Sequence, residues 1–302
     1  MTPRMSRKVA IVTGGNRGLG LDTARKLAAW GARVTLTARN PDDGSRACDS
    51  IRARVPGADV QSMLLDLASF ASIRDFAARF VELDLPLDLL VENAGSMMEG
   101  PKPRFTKEGF EATFGTNHLG HFLLTHLLLP AVQRASPSRI VIVASSMHKA
   151  GVGRGPGPDF DYDNLRAEKG FEPTIAYRNS KLANVWFTYE LNRFLDGTNV
   201  TANAVCPGFV PATIADRQRS PIARFVFRHV LARMPFARSL DQGSGNTFFA
   251  ATDSGLEGIG GKFIVDKQLS ASSEESYDLQ KARRLWETSR ELCGIDQFGQ
   301  PS

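Results

Sequence analysis

Three cysteines in 302 residues, Cys48, Cys206 and Cys293, are too few and too scattered for a disulfide scaffold or for the paired spacing of a zinc site. A reducing compartment fits that usage. Long apolar runs are missing as well. The N-terminal MTPRMSRK leads straight into VAIV, which is too short for a signal-peptide core or a membrane span, and no other stretch approaches the ~18 uninterrupted apolar residues that a span requires. These absences read as a cytoplasmic chain with no integral membrane segment. No dense Lys/Arg tract with interleaved aromatics occurs either, and the net charge is a mild +5, so no nucleic-acid partner is expected. The basic character gathers in one run, residues 217–238.

What is present is the composition of a folded α/β protein, 42% hydrophobic and 23% charged, long enough for a single domain over 1–302. Short apolar runs alternate with longer helical patterns. Strands are predicted at 8–13, 33–38, 60–65, 87–92, 139–144, 200–206 and 262–265, and helices at 19–30, 41–55, 69–83, 116–135, 174–195 and 275–292. Continuously apolar strands in strict βαβ alternation imply a parallel sheet of about seven strands, doubly wound, with helices on both faces. Two segments break the rhythm. Residues 149–173, rich in Gly, Pro and Asp, read as a long irregular insertion. Residues 212–239 are basic and partly amphipathic, with Phe225, Val226, Val230, Leu231 and Met234 as apolar positions, and read as a substrate lid with a solvated arginine face, against the alternative that the run 217–238 binds an acidic membrane surface or an anionic substrate group.

TGGNRGLG, residues 13–20, joins the first predicted strand to the first helix. Gly14, Gly18 and Gly20 allow a tight turn and close backbone approach, while the helix start offers free N–H groups and a positive dipole to a pyrophosphate. A plain tight turn is the competing reading, and the strand–loop–helix context favours nucleotide binding. A carboxylate at the end of the second strand would hold a free ribose 2′-hydroxyl. Arg39 stands there instead, with Arg17 inside the loop, and two guanidiniums suit a 2′-phosphate. NADP(H) is therefore expected over NAD(H), against the alternative that Arg39 is a solvated surface residue.

AYRNSKLAN, residues 176–184, places Tyr177 and Lys181 one helical turn apart, so that both project from one face. A nearby ammonium stabilises a phenolate, which would tune the tyrosine for acid/base work. On the pair alone, chance spacing is the better reading.

In combination the motifs say more. TGGNRGLG, Asp66 after the third strand, ENAG (92–95) after the fourth, Asn117, a serine after the fifth, Tyr177-x-x-x-Lys181, and CPGFV after the sixth occur in this order over nearly the whole chain. The chain thereby resembles the short-chain dehydrogenase/reductase family, whose fold is a single doubly wound Rossmann domain. The stretches GFEATFGTNHLGHFLLTHLLLP, AYRNSKLANVWFTYEL and KARRLWETSRELCGI look most like its retinol-dehydrogenase-like branch, with a lesser likeness to light-dependent protochlorophyllide reductase. The resemblance implies a catalytic set of Asn117, Ser145, Tyr177 and Lys181. Tyr177 would exchange the proton with the substrate oxygen. Lys181 would lower the phenol's pKa and hold the nicotinamide ribose, and Asn117 would keep a water relay toward Lys181. Ser145 would orient the substrate oxygen, with Ser146 as runner-up, since a one-residue slip in VASSMH exchanges them.

For the cofactor the resemblance implies contacts from Gly14, Asn16, Arg17, Gly18, Leu19 and Gly20 of the loop, and from Arg39. Asp66 and Leu67 would meet adenine; Asn93, Ala94 and Gly95 would border adenine and its ribose; Pro207, Gly208, Val210 and Thr213 would face the nicotinamide. Two positions depart from the family pattern. Glu92 stands where asparagine is frequent, and Ala212-Thr213 puts the threonine one residue late. The family often forms homodimers by pairing the helices 116–135 and 174–195, an arrangement with which the longer tail here would interfere.

His118 and His121 share a helix face, but no carboxylate or cysteine completes a metal site, so packing or solvent exposure is expected. His148 is open between a substrate contact and a surface position. The expected activity is NADP-dependent hydride transfer between nicotinamide and a carbonyl or alcohol. Phe209, Phe225 and Phe227 hint at a bulky hydrophobic substrate. Reduction of an activated C=C bond, or a non-catalytic NADP-binding sensor or scaffold, are the alternatives.

Overall fold

The first apolar run forms β1 (Val9–Val12), buried along its whole length. It lies near the middle of an eight-stranded sheet in the computed structural model, which describes residues 5–301 except 98–99, 154 and 216–219. The other strands are β2 (Arg33–Ala38), β3 (Val60–Leu64), β4 (Leu89–Glu92), β5 (Ser138–Val143), β6 (Val200–Cys206), β7 (Lys262–Val265) and β8 (Gln268–Ser270), in the order β3-β2-β1-β4-β5-β6-β7-β8. All neighbours but the last pair are parallel. Strand order reverses between β1 and β4, and at such a switch point the carboxyl ends of the strands open a crevice.

In chain order the helices are α1 (Gly18–Ala29), α2 (Pro41–Arg54), α3 (Phe70–Val81), α4 (Ala112–Phe114), α5 (Gly120–Arg134), α6 (Pro173–Phe194), α7 (Pro211–Ala215), α8 (Pro221–Phe225), α9 (Leu240–Thr252) and α10 (Leu279–Leu292). One face of the sheet packs residues of α1, α2 and α9 around Val12, Val34 and Val91. The other packs α3, α5 and α6 around Ile11, Leu90 and Ile140, with α10 and the tail outside them. The starts follow from local chemistry. Asn40 accepts from Asp42 N with Pro41 at the first helical position, and Glu172 accepts from Thr174 N and Ile175 N ahead of Pro173.

Four expectations are corrected. The sheet has an eighth strand, β8, antiparallel to β7, and the two residues between them, Asp266 and Lys267, both hold positive φ. That is the conformation of a two-residue hairpin turn, normally signalled by Asn-Gly, and Asp-Lys carries no such signal. The helix expected over 116–135 begins earlier, at Ala112, and passes through a π-helical turn at Gly115–Leu119. The final helix starts at Leu279, capped by Asp278 and preceded by a 3₁₀ turn at Glu274–Tyr277. Helix α9 was not anticipated. Its capping box, Ser239 with Gln242, is legible, but Gly243 and Gly245 in its body mask the helical pattern.

The described residues of 149–172 are irregular apart from one 3₁₀ turn at Tyr162–Asn164, and Pro173 opens α6. Within 212–239, residues 216–219 lie outside the described residues; the rest form the end of α7, then α8, a π turn at Val226–Val230 and a 3₁₀ turn at Leu231–Arg233. No helix among the described residues is long and apolar enough to cross a membrane.

Candidate active site

The glycine loop leaves β1 and enters α1 at the crevice. Gly14 and Gly18 hold φ of +62° and +57°, which side chains disfavour. A Cβ on Gly14 would lie 3.1 Å from Ala94, so the loop runs directly against the turn after β4. Asn93 seals that contact, its Nδ2 donating to Thr13 O at 2.9 Å. Arg17 precedes α1 without a side-chain cap, and the first turn of α1 carries no acidic residue. The end of the helix is thus available to an anion. Asn16 and Arg17 border a shallow depression of about 280 Å³ together with Asp43 and Arg46 of α2. Arg39 is exposed at the end of β2. Arg46, which shares the depression with Asn16 and Arg17, carried no signal in the sequence; it is paired with Asp43.

Of the expected catalytic residues, Tyr177, Lys181 and Asn117 lie near one another at the carboxyl ends of β4 and β5, and Ser145 follows β5. Lys181 is buried and donates to Val143 O at 2.9 Å, with its Nζ 5.7 Å from the centre of the Tyr177 ring. Asn117, fully buried, accepts from Ser96 N at 2.8 Å and donates to Ser96 O at 2.9 Å and Ser180 Oγ at 3.0 Å. A Cβ on Gly95 would lie 3.3 Å from Asn117 Oδ1 and 3.4 Å from Lys181 Nζ, so a side chain there would intrude on the cluster. Ser145 is half-buried just beyond β5, its Oγ accepting from Met147 N at 3.2 Å. Ser146 is differently employed: its N and Oγ lie 3.2 and 3.3 Å from Cys206 Sγ at the end of β6.

Asn117 sits in the π turn. Such bulges free backbone groups and recur at functional sites. His121 takes up the Asn117 carbonyl, with its Nδ1 at 3.1 Å and its Nε2 3.0 Å from Thr13 Oγ1. A nitrogen facing a carbonyl must carry the hydrogen, so Nδ1 donates and Nε2 accepts from the threonine. Thr13 Oγ1 in turn accepts from Ala94 N at 2.9 Å. One neutral imidazole thus ties the π turn to the glycine loop and to the turn after β4. Burial holds His121 down at about 4 and His118 at about 3. His118 packs among aromatic rings, with Nε2 2.8 Å from Ser289 Oγ. Packing is therefore the outcome for both, and the exposed alternative fails.

A surface position for His148 is likewise overturned. It is fully buried, its Nδ1 2.6 Å from Ser145 O and its Nε2 accepting from Ser273 N at 3.0 Å. It braces the Ser145 backbone from behind. Arg178, beside Tyr177 and fully buried, was not anticipated either. Its guanidinium donates to Met147 O at 3.3 Å, Lys149 O at 3.4 Å and Val152 O at 2.7 Å, fastening the loop after β5 to α6. An arginine following a tyrosine in sequence carries no signal of this role.

The other expected cofactor positions surround the crevice. Asp66 is half-buried and accepts from Ala68 N, and Leu67 is buried, its carbonyl against Gly120. Gly20 packs against Asn93 and the Gly14 carbonyl. Leu19, Pro207 and Val210 all press on Gly243 of α9, which leaves no room there for a side chain. Gly208, at φ +81°, lies under Arg238. Thr213 Oγ1 donates to Val210 O at 2.8 Å, and its methyl would stand 3.4 Å from a Cβ on Gly18, so Thr213 reaches across to the glycine loop. A groove of about 1230 Å³ lies elsewhere, toward the amino ends of the strands, where Lys8 and Asp88 pair at 2.7 Å. No cluster of three or more metal-ligating side chains occurs among the described residues.

Residues 8–156 match the family model described as short chain dehydrogenase. Retinol dehydrogenase 11 of Mus musculus is 40% identical over 288 residues, covering 95% of this chain and 87% of that protein. The chain belongs to the short-chain dehydrogenase family. Within it the chain falls in the retinol-dehydrogenase-like branch, and this short-chain dehydrogenase is an oxidoreductase. Polyprenol dehydrogenase of Danio rerio is 38% identical over 301 residues, with 97% of this chain and 89% of that one covered. Among solved structures, an uncharacterized protein from Mycobacterium paratuberculosis superposes with a TM-score of 0.74 at 31% identity, covering 97% of this dehydrogenase and 96% of that chain. The NADP complex of RhlG from Pseudomonas aeruginosa shares the fold, with a TM-score of 0.65 at 24% identity over 88% of this chain and 97% of that one.

Proposed function

We propose that this short-chain dehydrogenase interconverts the carbonyl and alcohol of a hydrophobic small molecule with NADP(H), Tyr177 serving as general acid/base. The observation that carries the proposal is the buried cluster of Lys181 and Asn117 beside the Tyr177 ring, with Lys181 on the Val143 carbonyl two residues before Ser145, next to a glycine loop with an uncapped helix start. The residues fit the cofactor. Gly14 and Gly18 keep the loop free of side chains, the start of α1 faces it with unpaired polarity, and Gly95 leaves space against Lys181. Bound there, NADP(H) supplies or receives the hydride. Arg17 and Arg39 are the residues for a 2′-phosphate, with Arg46 nearby on the wall of the depression.

The chain's own residues handle the proton and the orientation. Ser145 Oγ and the Tyr177 phenol would bracket the substrate oxygen. Ser146 is committed to Cys206, which favours Ser145 for that contact. Lys181 places a cation beside the phenol, and Asn117 holds the floor beneath it through Ser96 and Ser180. Residues 220–239, whose end is tied back where Arg238 N donates to Phe209 O, would serve as a lid. The retinol and polyprenol dehydrogenases among the relatives support a hydrophobic alcohol or aldehyde as substrate.

NADPH oxidation against a panel of long-chain and isoprenoid aldehydes tests the reading. Tyr177→Phe is expected to lower kcat about 10²–10⁴-fold, the usual worth of a positioned acid/base, while cofactor binding persists. Arg39→Ala should narrow the kcat/KM preference for NADPH over NADH. Full activity of the Phe variant would refute the assignment. Turnover confined to activated C=C substrates would move it to the reductase alternative, and NADP binding with no turnover on any substrate to the sensor.

A further inference from the structure

Residues 220–236 form a helical excursion in which no side chain is buried. The π turn of Val226–Val230 packs against α7, and Ala223, Phe227 and Leu231, at four-residue spacing, are half-buried. A second apolar stripe has no such cover. Ile222 is 77% exposed, Phe225 61%, Val226 36% and Val230 51%, and Phe236 at the far end is 61% exposed. Leaving that many large apolar groups in water is unfavourable by roughly 25 cal/mol per Å², so a stripe of this kind marks a contact surface.

Charge identifies the partner. Segment 212–239 holds six arginines against a single acid, Asp216, a net +5, which equals the net charge of the whole 302-residue chain. The remainder of the molecule is neutral overall. Arg224 and Arg228 fall between the apolar positions, and Arg233 follows them. Exposed large apolar side chains interspersed with arginines along a helical surface segment suit a bilayer interface, where guanidiniums reach lipid phosphates. Nucleic acid would not cover the apolar stripe, and an apolar protein surface would not answer the charge. The neck of the excursion closes where Arg238 N donates to Phe209 O at 2.7 Å and Phe236 meets Phe209, with ring centroids 5.7 Å apart.

We infer that residues 220–236 dock this dehydrogenase onto an anionic lipid bilayer, with Ile222, Phe225, Val226 and Val230 inserted and the arginines at phosphate level. The inference concerns the outer surface and stands independently of the catalytic reading. The test is cosedimentation of the full chain with vesicles of phosphatidylcholine alone and of phosphatidylcholine mixed equally with phosphatidylserine. The chain should pellet with the mixed vesicles, and rising salt should weaken the association. Ile222→Ser/Phe225→Ser/Val230→Ser, and separately Arg224→Glu/Arg228→Glu/Arg233→Glu, should each reduce partitioning at least about tenfold, with thermal melts showing that both remain folded. Equal binding to both vesicle types, no binding to either, or undiminished binding by both variants would overturn the inference. So would light scattering that shows the stripe buried in a self-associated form, dissociated by the serine variant, with no vesicle binding.

Discussion

Glu92 ends β4 fully buried, one residue before the asparagine that seals the glycine loop. Burial pushes its carboxyl up to about 8, opposed in part by the hydroxyl of Thr125, which donates to Oε1. Oε2 has no hydrogen-bond partner among the described residues. The folded protein therefore holds this proton where the unfolded chain, titrating near ~4.5, releases it. The folded state binds more protons between those values, so stability contributed by this site falls as pH rises from ~4.5 toward ~8. Glu92→Gln keeps the shape and removes the ionisation. We expect the variant to melt at least about 3 °C above the parent at pH 8, with a much smaller difference at pH 5. Melts at the two pH values check it, and a difference independent of pH would mean that Glu92 is charged where it sits.

Arg178 raises a related point at the scale of elements, because it joins α6 to the loop after β5. Arg178→Ala would leave the Met147, Lys149 and Val152 carbonyls without this donor. A loss of about 2–3 kcal/mol in urea unfolding is expected, together with faster limited proteolysis within 147–157. Unaltered proteolysis would show that the loop is held by other contacts. Such links were not legible in the chain, whereas the parallel strands were. VAIV and RIVIVA announce two-sided burial by composition, and capping residues such as Asn40-Pro41 mark where helices start. What escaped were features that depend on long-range geometry. The Asp266-Lys267 hairpin uses residues with no turn signature. The π turn at Gly115–Leu119 looks like ordinary helix in sequence, since its extra residue changes no composition. The motif order picked out Tyr177, Lys181 and Asn117, which the fold brings near one another, but the supporting His121, His148 and Arg178 are set by partners 3 to more than 100 residues away.

Of four buried imidazoles, three are shifted far enough to give the whole molecule an acid weakness, and burial lowers the fourth, His126, in the same direction. Burial lowers His118 to about 3, His121 to about 4 and His148 to about 4, against ~6.5 for an unfolded histidine. The unfolded chain binds the extra protons, so this contribution is intact above ~6.5 and is lost as pH falls toward ~4, at up to roughly 1.4 kcal/mol per pH unit for each histidine. Glu92 acts in the opposite sense but as one group against three. Thermal melts should therefore fall progressively between pH 7 and pH 5. A flat profile would mean that these rings protonate in place, and His121 could not then accept from Thr13.

The tail sets the last constraint on the assembled molecule. Trp286 of α10 and Phe298 beyond it pack on Phe122 of α5 and Phe194 of α6, with ring centroids between 4.5 and 5.7 Å apart. These aromatic contacts bury the outer sides of the two long helices that the family resemblance would pair in a dimer. A second copy cannot occupy that surface while the tail is seated. The chain is accordingly expected to be monomeric through these faces. Trp286→Ala should cost about 3–5 kcal/mol in urea unfolding, the usual penalty for removing a large aromatic from a packed site. It should also loosen the cover enough for light scattering to detect self-association that the parent lacks. A parent that is already dimeric, with an interface mapped to α5 and α6 by cross-linking, would show that the tail moves aside in solution.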